Sequence, residues 1–360
     1  DDIHRESILH PNSIIVPVAI NVSEKIGNVN GKKFLTSVVA GYEVATRIGS
    51  AAGTELLLRG FHPQGTHGTI AAAITAGKLM NFDTEQMINA IGIAGSLGAG
   101  LMAAQEGAMV KRLHSGRAAQ AGVLAAELSA KNFTGIQNIV EADYGGFLSS
   151  FSGKNDFARS TRNLHKEWEC INTGIKPYAS VTSIHTALDC LKGIMEKNNI
   201  SVKNIKNIKA KISNPTYVHC AWSYKNHNIT SAQMNIYYGL ALIALEGELF
   251  VNQFSKDKIS NPEILNFMKK ITAEVDPKIE SLGHEFRHMA SIELTTNDNK
   301  KFNHTEKYRK GSPENPLTKD QIISKFKTLA AYSYDDTKIN TIKEKIENIE
   351  LSNSIENLID

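Results

Sequence analysis

Thr69-Ile-Ala-Ala-Ala-Ile-Thr-Ala-Gly-Lys-Leu-Met80 reads as one helix built almost wholly from small apolar residues. Each residue has little side-chain area to bury, so such a helix is stable only where neighbours approach it closely on several sides. The flanking sequence has the same texture. Ser37–Ile48 and Arg117–Leu128 carry helical spacing. Asp83-Thr-Glu-Gln86 opens another helix: Asp83 caps it, Gln86 three residues on completes a capping box, and apolar positions recur as far as Leu97. Gly92, Gly95, Gly98 and Gly100 permit backbones to come near contact. The region from about residue 36 to 130 is therefore expected to be a helical bundle. Charges and polar breaks recur too often in it for a membrane span.

After Gly153 the texture changes, and Lys, Asn and Ser increase. Ile205–Ile212 and Met289–Thr296 alternate with period two, as half-exposed strands do. Asn297-Asp-Asn-Lys300 then predicts a hairpin turn. Helices are expected at Val181–Lys197, Ala232–Leu245 and Pro262–Lys270, and two more, Lys319–Ala331 and Asp336–Asn348, close the chain. The expected fold is mainly α. A helical domain spans residues 1–171, a smaller α+β lid spans 172–308, and residues 309–360 return to the helical domain.

Bulk properties narrow the function. The chain has 360 residues, 41% of them hydrophobic, and a net charge of only +3, which gives no support for nucleic-acid or membrane-surface binding. Its three cysteines are widely spaced and form no CxxC pair, so a reducing compartment is favoured over a disulfide framework or a zinc site. A cytoplasmic location follows, or a mitochondrial matrix in a eukaryote. The chain opens on Asp1-Asp2-Ile3-His4, in what reads as the middle of a motif, so further residues are expected upstream.

Against this apolar background stands Gly107-Ala-Met-Val-Lys-Arg-Leu-His-Ser-Gly-Arg-Ala-Ala119. Lys111, Arg112, His114 and Arg117 crowd cations into a region with little room for solvated groups. The run is either a helix end or the floor of an anion pocket. Two His-bearing turns favour the pocket: Ile8-Leu-His10-Pro-Asn12 and Gly60-Phe-His62-Pro-Gln-Gly-Thr-His67-Gly68. Cations in a poorly hydrated cleft hold carboxylates well, because attraction strengthens as the dielectric falls. Asp2 beside these histidines can fix a tautomer. Asp1, Asp2, His4 and His10 could supply metal ligands, but their spacing matches no compact metal motif. Lys176-Pro-Tyr-Ala-Ser180 falls at the expected domain junction, a favoured place for ligands. His185 reads as a buried helix histidine. Tyr237 and Tyr238 read as core aromatics of which one hydroxyl could face a cleft. Nucleophile elbows, phosphate loops and dinucleotide fingerprints are missing from the sequence.

Taken in order, these motifs resemble the 2-methylcitrate dehydratase family (MmgE/PrpD). The resemblance rests on Asp1-Asp2-x-His4 leading to His10-Pro11, and on Gly41-Tyr-Glu-Val-Ala45-Thr-Arg-Ile-Gly49. It continues through Gly60-Phe-His62-Pro63, Lys111-Arg-Leu-His114-Ser-Gly116-Arg-Ala-Ala119, Asp143-Tyr-Gly-Gly-Phe147, Lys176-Pro-Tyr178 and Gly311-Ser-Pro-Glu-Asn-Pro316. It implies a helical domain with an α+β lid, a homodimer, no metal and no organic cofactor, and a site between the domains for small di- or tricarboxylates. His10, His62, Lys111 and Tyr238 are then expected to be catalytic, with Lys176, Arg112, His114 and Asp2 binding substrate. The leading expectation is dehydration of a 2-methylcitrate-like hydroxy acid through α-proton abstraction. A cis-aconitate-type decarboxylase, an iminodisuccinate-type epimerase and a non-catalytic carboxylate-binding homologue are the alternatives.

Overall fold

The small-residue helix sits where its composition requires, walled in on all sides. A computed structural model describes residues 2–106, 108–154, 156–225 and 228–359, apart from the side chains of Glu106 and His284. Helix accounts for 57% of the chain and strand for 11%, so the fold is mainly α with a small α+β part. The chain divides into two units. The first comprises Asp1–Gln105, Met109–Gly174 and Thr318–Asp360, and the second Glu106–Ala108 with Ile175–Leu317.

The longer helices of the first unit are α1 (Asn12–Ile26), α2 (Gly31–Leu58), α3 (His67–Leu79), α4 (Thr84–Leu97) and α5 (Val110–Ser129). Every residue of α3 except Lys78 is buried. Its closest neighbour is α5, and Gly122 is the reason the two can meet. A Cβ there would lie 2.3 Å from the Ala72 Cβ and 2.5 Å from the Thr69 carbonyl oxygen. Gly92 works differently from the helix-to-helix contact expected of it. It receives the backbone of Ile136, a loop residue, which a Cβ would approach to 2.3 Å. Asp83 and Gln86 form the capping box that their spacing predicts.

The α1 helix was not expected. Its apolar run, residues 14–20, is short and holds Pro17, which reads as a helix breaker, although the buried Ile14, Ile15, Val18, Ala19 and Val22 do recur at helical spacing.

In the second unit, α6 (His185–Lys197) and α7 (Ile236–Glu246) pack with a four-stranded sheet. The strands are β1 (Ile205–Ile212), β2 (Ile271–Val275), β3 (Ala290–Thr296) and β4 (Lys301–Glu306). They lie in the order β2-β1-β3-β4, parallel between β1 and β2 and antiparallel elsewhere. The β3–β4 hairpin turns where expected, with Asn299 at φ 63°.

Two boundaries differ from expectation. The helix predicted over Ala232–Leu245 is broken at Asn235, whose backbone is extended. Its side chain accepts from the Tyr238 amide at 3.1 Å and donates to the Trp222 carbonyl at 2.8 Å, which makes a cap rather than a helical turn. The return of the chain to the first unit begins at Thr318, not at residue 309. Residues 309–317 are held in the second unit: the Ile175 amide donates to the Gly311 carbonyl at 2.7 Å, and the Lys310 amide to Asp189 at 2.8 Å. Thr318 then caps α8 (Lys319–Ala330), and α9 (Asp336–Glu347) follows. No helix among the described residues is long and apolar enough to cross a membrane.

Candidate functional site

Three chain segments of the first unit converge: the turn before α1, the turn before α3, and the first turns of α5. Gln64, 3% exposed, joins them. Its Oε1 accepts from the His10 amide at 2.7 Å, while its Nε2 donates to Ser13 at 2.9 Å and to Ser115 at 3.0 Å. A buried amide with both ends satisfied by different segments fixes their spacing. This residue was not singled out from the sequence, because its partners Ser13 and Ser115 each lie 51 residues away along the chain.

His62 is held from its backbone. Its amide donates to the Gly100 carbonyl at 3.0 Å, and its own carbonyl accepts from the Thr66 hydroxyl at 3.1 Å. The ring then meets His114 from α5, with Nδ1 2.8 Å from Nδ1. Gly100, at φ 144°, makes the space. A Cβ there would stand 3.3 Å from the His114 Nδ1 in a backbone conformation that L side chains rarely adopt.

His10 is oriented by Asp2. The Asp2 carbonyl accepts from Nδ1–H of His10 at 2.6 Å, which fixes the tautomer and leaves the lone pair of the neutral ring on Nε2.

The electrostatics confirm that these groups share one neighbourhood. Burial pushes the His62 pKa down to about 3, and the charges of His114, Lys111, His10 and His67 add to the effect in that order. His114 is lowered by burial and by Lys111. His62 and His114 are thus kept neutral beside Lys111, with His10 close by. Neutral imidazoles can give or take a proton, and a single cation can hold a carboxylate. Arg112, next to Lys111 on α5, is exposed.

Other predicted residues fall elsewhere. Asp2 was expected to bind substrate, but its side chain faces inward and is 5% exposed. Its carboxylate accepts from the Tyr42 hydroxyl at 2.7 Å and from the Asn12 amide at 3.1 and 3.2 Å. The residue therefore positions His10 instead. Burial raises its pKa against those hydrogen bonds. Tyr238 was expected to be a catalytic acid, yet it is 0% exposed in the core of the second unit. Its hydroxyl donates to the Gln253 carbonyl at 2.7 Å and its ring stacks on Tyr224, so it is a core residue. Lys176 is buried in the second unit at 9% exposure. His185 is buried, with Nε2 3.3 Å from the Ser180 carbonyl.

Among the described residues, Asp2, His4 and His10 do not form a metal-binding cluster. Asp2 faces Tyr42, whereas His4 faces Ser7 at 2.9 Å and Glu169 at 3.4 Å; Asp1 lies outside the described residues.

The Gly41–Gly49 motif turns out to be a brace. Tyr42 holds Asp2, and its neighbour Glu43, paired with Arg47 one turn on (2.6 Å), ties α2 to residues 160–170. Arg47 donates to the carbonyls of Arg162 at 2.7 Å and Glu167 at 2.6 Å, while Glu43 accepts from the Cys170 amide at 2.9 Å. Glu169 continues the network to Arg159 at 2.6 Å, and Arg159 also reaches Glu6. These contacts lower the Glu169 pKa to about 2, with the His4 hydrogen bond the largest cause. His67 lies fully inside, near His4, with its pKa down to about 3 through burial.

Comparison with known proteins agrees across most of the chain. Residues 1–160 match the MmgE/PrpD N-terminal domain and residues 178–351 the MmgE/PrpD C-terminal domain. Cis-aconitate decarboxylase of Aspergillus terreus is 27% identical over 96% of this chain and 74% of that protein. The cis-aconitate decarboxylase-like protein oryM of Aspergillus oryzae is 29% identical over 100% of this chain and 78% of its own length. Cis-aconitate decarboxylase of Homo sapiens is 23% identical over 95% and 72%.

Proposed function

The chain belongs to the MmgE/PrpD family, and from that premise we propose that it is a lyase that decarboxylates cis-aconitate or a closely similar unsaturated tricarboxylate. The observation that carries the reading is the 2.8 Å contact of His62 with His114, with His10 tied to the same place through Gln64 and Lys111 one turn before His114 on α5. The decarboxylase names of the relatives favour this outcome over the dehydration that the sequence motifs first brought forward.

The chemistry fits these groups. Loss of CO2 from the saturated arm of cis-aconitate breaks a C–C bond. The electron pair left behind is conjugated through the C=C bond to the carboxylate at the other end. Lys111 offsets the charge that gathers on that carboxylate, which is the larger part of the barrier. One proton must then reach the carbon beside it, and a neutral imidazole N–H from His62 supplies it. Lys176 is proposed as a further carboxylate ligand on the strength of its motif alone. The proposed assembly is a homodimer in the cytoplasm.

The test is direct. The protein is incubated with cis-aconitate and, separately, with 2-methylcitrate, and products are followed by carbon NMR. Release of CO2 with a methylene-bearing dicarboxylate supports the reading. Consumption of 2-methylcitrate alone would establish the dehydratase instead. Calorimetric binding of both acids with turnover of neither would mark a carboxylate-binding homologue.

A further inference from the structure

The contact between His62 and His114 constrains the reaction more tightly than the presence of two histidines does. A hydrogen bond between two ring nitrogens needs one N–H and one lone pair. The Nδ1 atoms stand 2.8 Å apart, with ring centroids 5.0 Å apart and planes tilted by 55°. Two neutral rings in this contact therefore hold one proton between their Nδ1 atoms. It follows that one outer Nε2 bears hydrogen and the other bears a lone pair. The pair presents an acid at one end and a base at the other.

The contact is built in. His62 is pinned through its amide to Gly100, and His114 lies against the same glycine, where any side chain would crowd its Nδ1. Lys111, one helical turn before His114, disfavours a positive charge on the pair, and at His62 so do His10 and the deeper His67.

We propose that His62 and His114 form a proton-sharing pair in which His114 lends its Nδ1 proton to His62 while His62 gives up its Nε2 proton, so that His114 is a positioning residue that keeps His62 neutral rather than a carboxylate ligand. This rests on the decarboxylase reading for its substrate but not for its geometry. In the step, the Nε2–H of His62 passes to the substrate carbon as the C–H bond forms. The Nδ1 proton of His114 crosses to Nδ1 of His62, and Nε2 of His114 takes a proton from water. After product leaves, water protonates Nε2 of His62, the shared proton crosses back, and His114 returns its Nε2 proton to water. Each cycle carries one solvent proton to carbon.

The experiment uses the full chain with nitrogen-15-labelled histidine, in the wild type, His114→Gln and His114→Ala. A glutamine can still donate to Nδ1 of His62 but cannot pass a proton. In the wild type, the Nδ1 signals of both rings are expected between the protonated and unprotonated values. In both variants the His62 signal should move to one limit, with circular dichroism unchanged. With cis-aconitate, His114→Gln should lower kcat by at least about tenfold with KM within about threefold, and added free imidazole should restore part of it. A His62 signal identical in wild type and folded variants overturns the proposal. So does a rise in KM with kcat unchanged, which is the signature of a carboxylate ligand. If no acid is turned over at all, the decarboxylase reading fails and the nitrogen signals alone decide the pair.

Discussion

Tyr42 and Asp2 are joined by a 2.7 Å hydrogen bond from hydroxyl to carboxylate, and the carbonyl of the same aspartate receives the Nδ1 proton of His10. A residue in the middle of α2 thereby sets the tautomer of a histidine on another segment. Replacing Tyr42 by Phe takes a hydroxyl donor from a buried carboxylate that also accepts from the Asn12 amide. The expected cost is about 1–3 kcal/mol of stability, because a buried acceptor loses a partner. Turnover should fall with it, through a His10 ring free to change tautomer. Urea unfolding and kcat measured on the same preparation check both, and a variant as stable and active as the wild type rejects the linkage.

Lys111 carries the heaviest demand. In the proposed reaction Lys111 offsets charge on the electron pair that CO2 leaves behind, so for Lys111→Ala a loss of more than about a hundredfold in kcat/KM is expected. The folded state should survive, since the residue is only half-buried at the start of α5. Unaltered turnover with an intact circular dichroism spectrum would remove the ammonium from the mechanism.

Acid should destabilise the protein well before its carboxylates titrate. His62 and His67 are held neutral, each with a pKa near 3 against an ordinary value of about 6.5. Below pH 6.5 the unfolded chain therefore binds more protons than the folded one, so stability falls as pH drops. For the fully enclosed His67 alone, the loss between pH 7 and pH 5 is about 2 kcal/mol. Glu169 acts in a separate window: its pKa is depressed to about 2, so its contribution is complete above about pH 4.5 and disappears as pH falls towards 2. Unfolding midpoints in urea at pH 7, 6 and 5 should decline steadily, and a flat series would falsify the neutral-imidazole core.

The ease of reading the sequence followed the range of the interactions. The Asp83–Gln86 cap, the Ile205–Ile212 strand and the Asn299 turn were legible because each is decided within a few residues. His10, His62, Lys111 and His114 stood out because imidazoles and cations are conspicuous among small apolar residues. Gln64, Tyr42 and the Glu43–Arg47 brace were not assigned roles, since their meaning lies in partners far along the chain. Asp2 and Tyr238 were misjudged for a related reason. A polar residue in a motif looks the same whether it faces substrate or a buried partner, and only burial separates the two cases.

Tyr238 offers the sharpest test of that distinction. Its hydroxyl is spent on the Gln253 carbonyl, and its ring lies between Tyr224 and Phe254, with centroids 5.4 and 5.8 Å away. Burial raises its pKa, so the phenol stays protonated with its proton already donated. Tyr238→Phe keeps the ring and orphans one carbonyl. The expected result is a loss of about 1–2 kcal/mol in urea unfolding, with turnover reduced far less than by Lys111→Ala. If instead kcat falls by the same hundredfold while stability is unchanged, the hydroxyl reaches the reacting atoms during catalysis, and the second unit must rearrange around Gln253 to allow it.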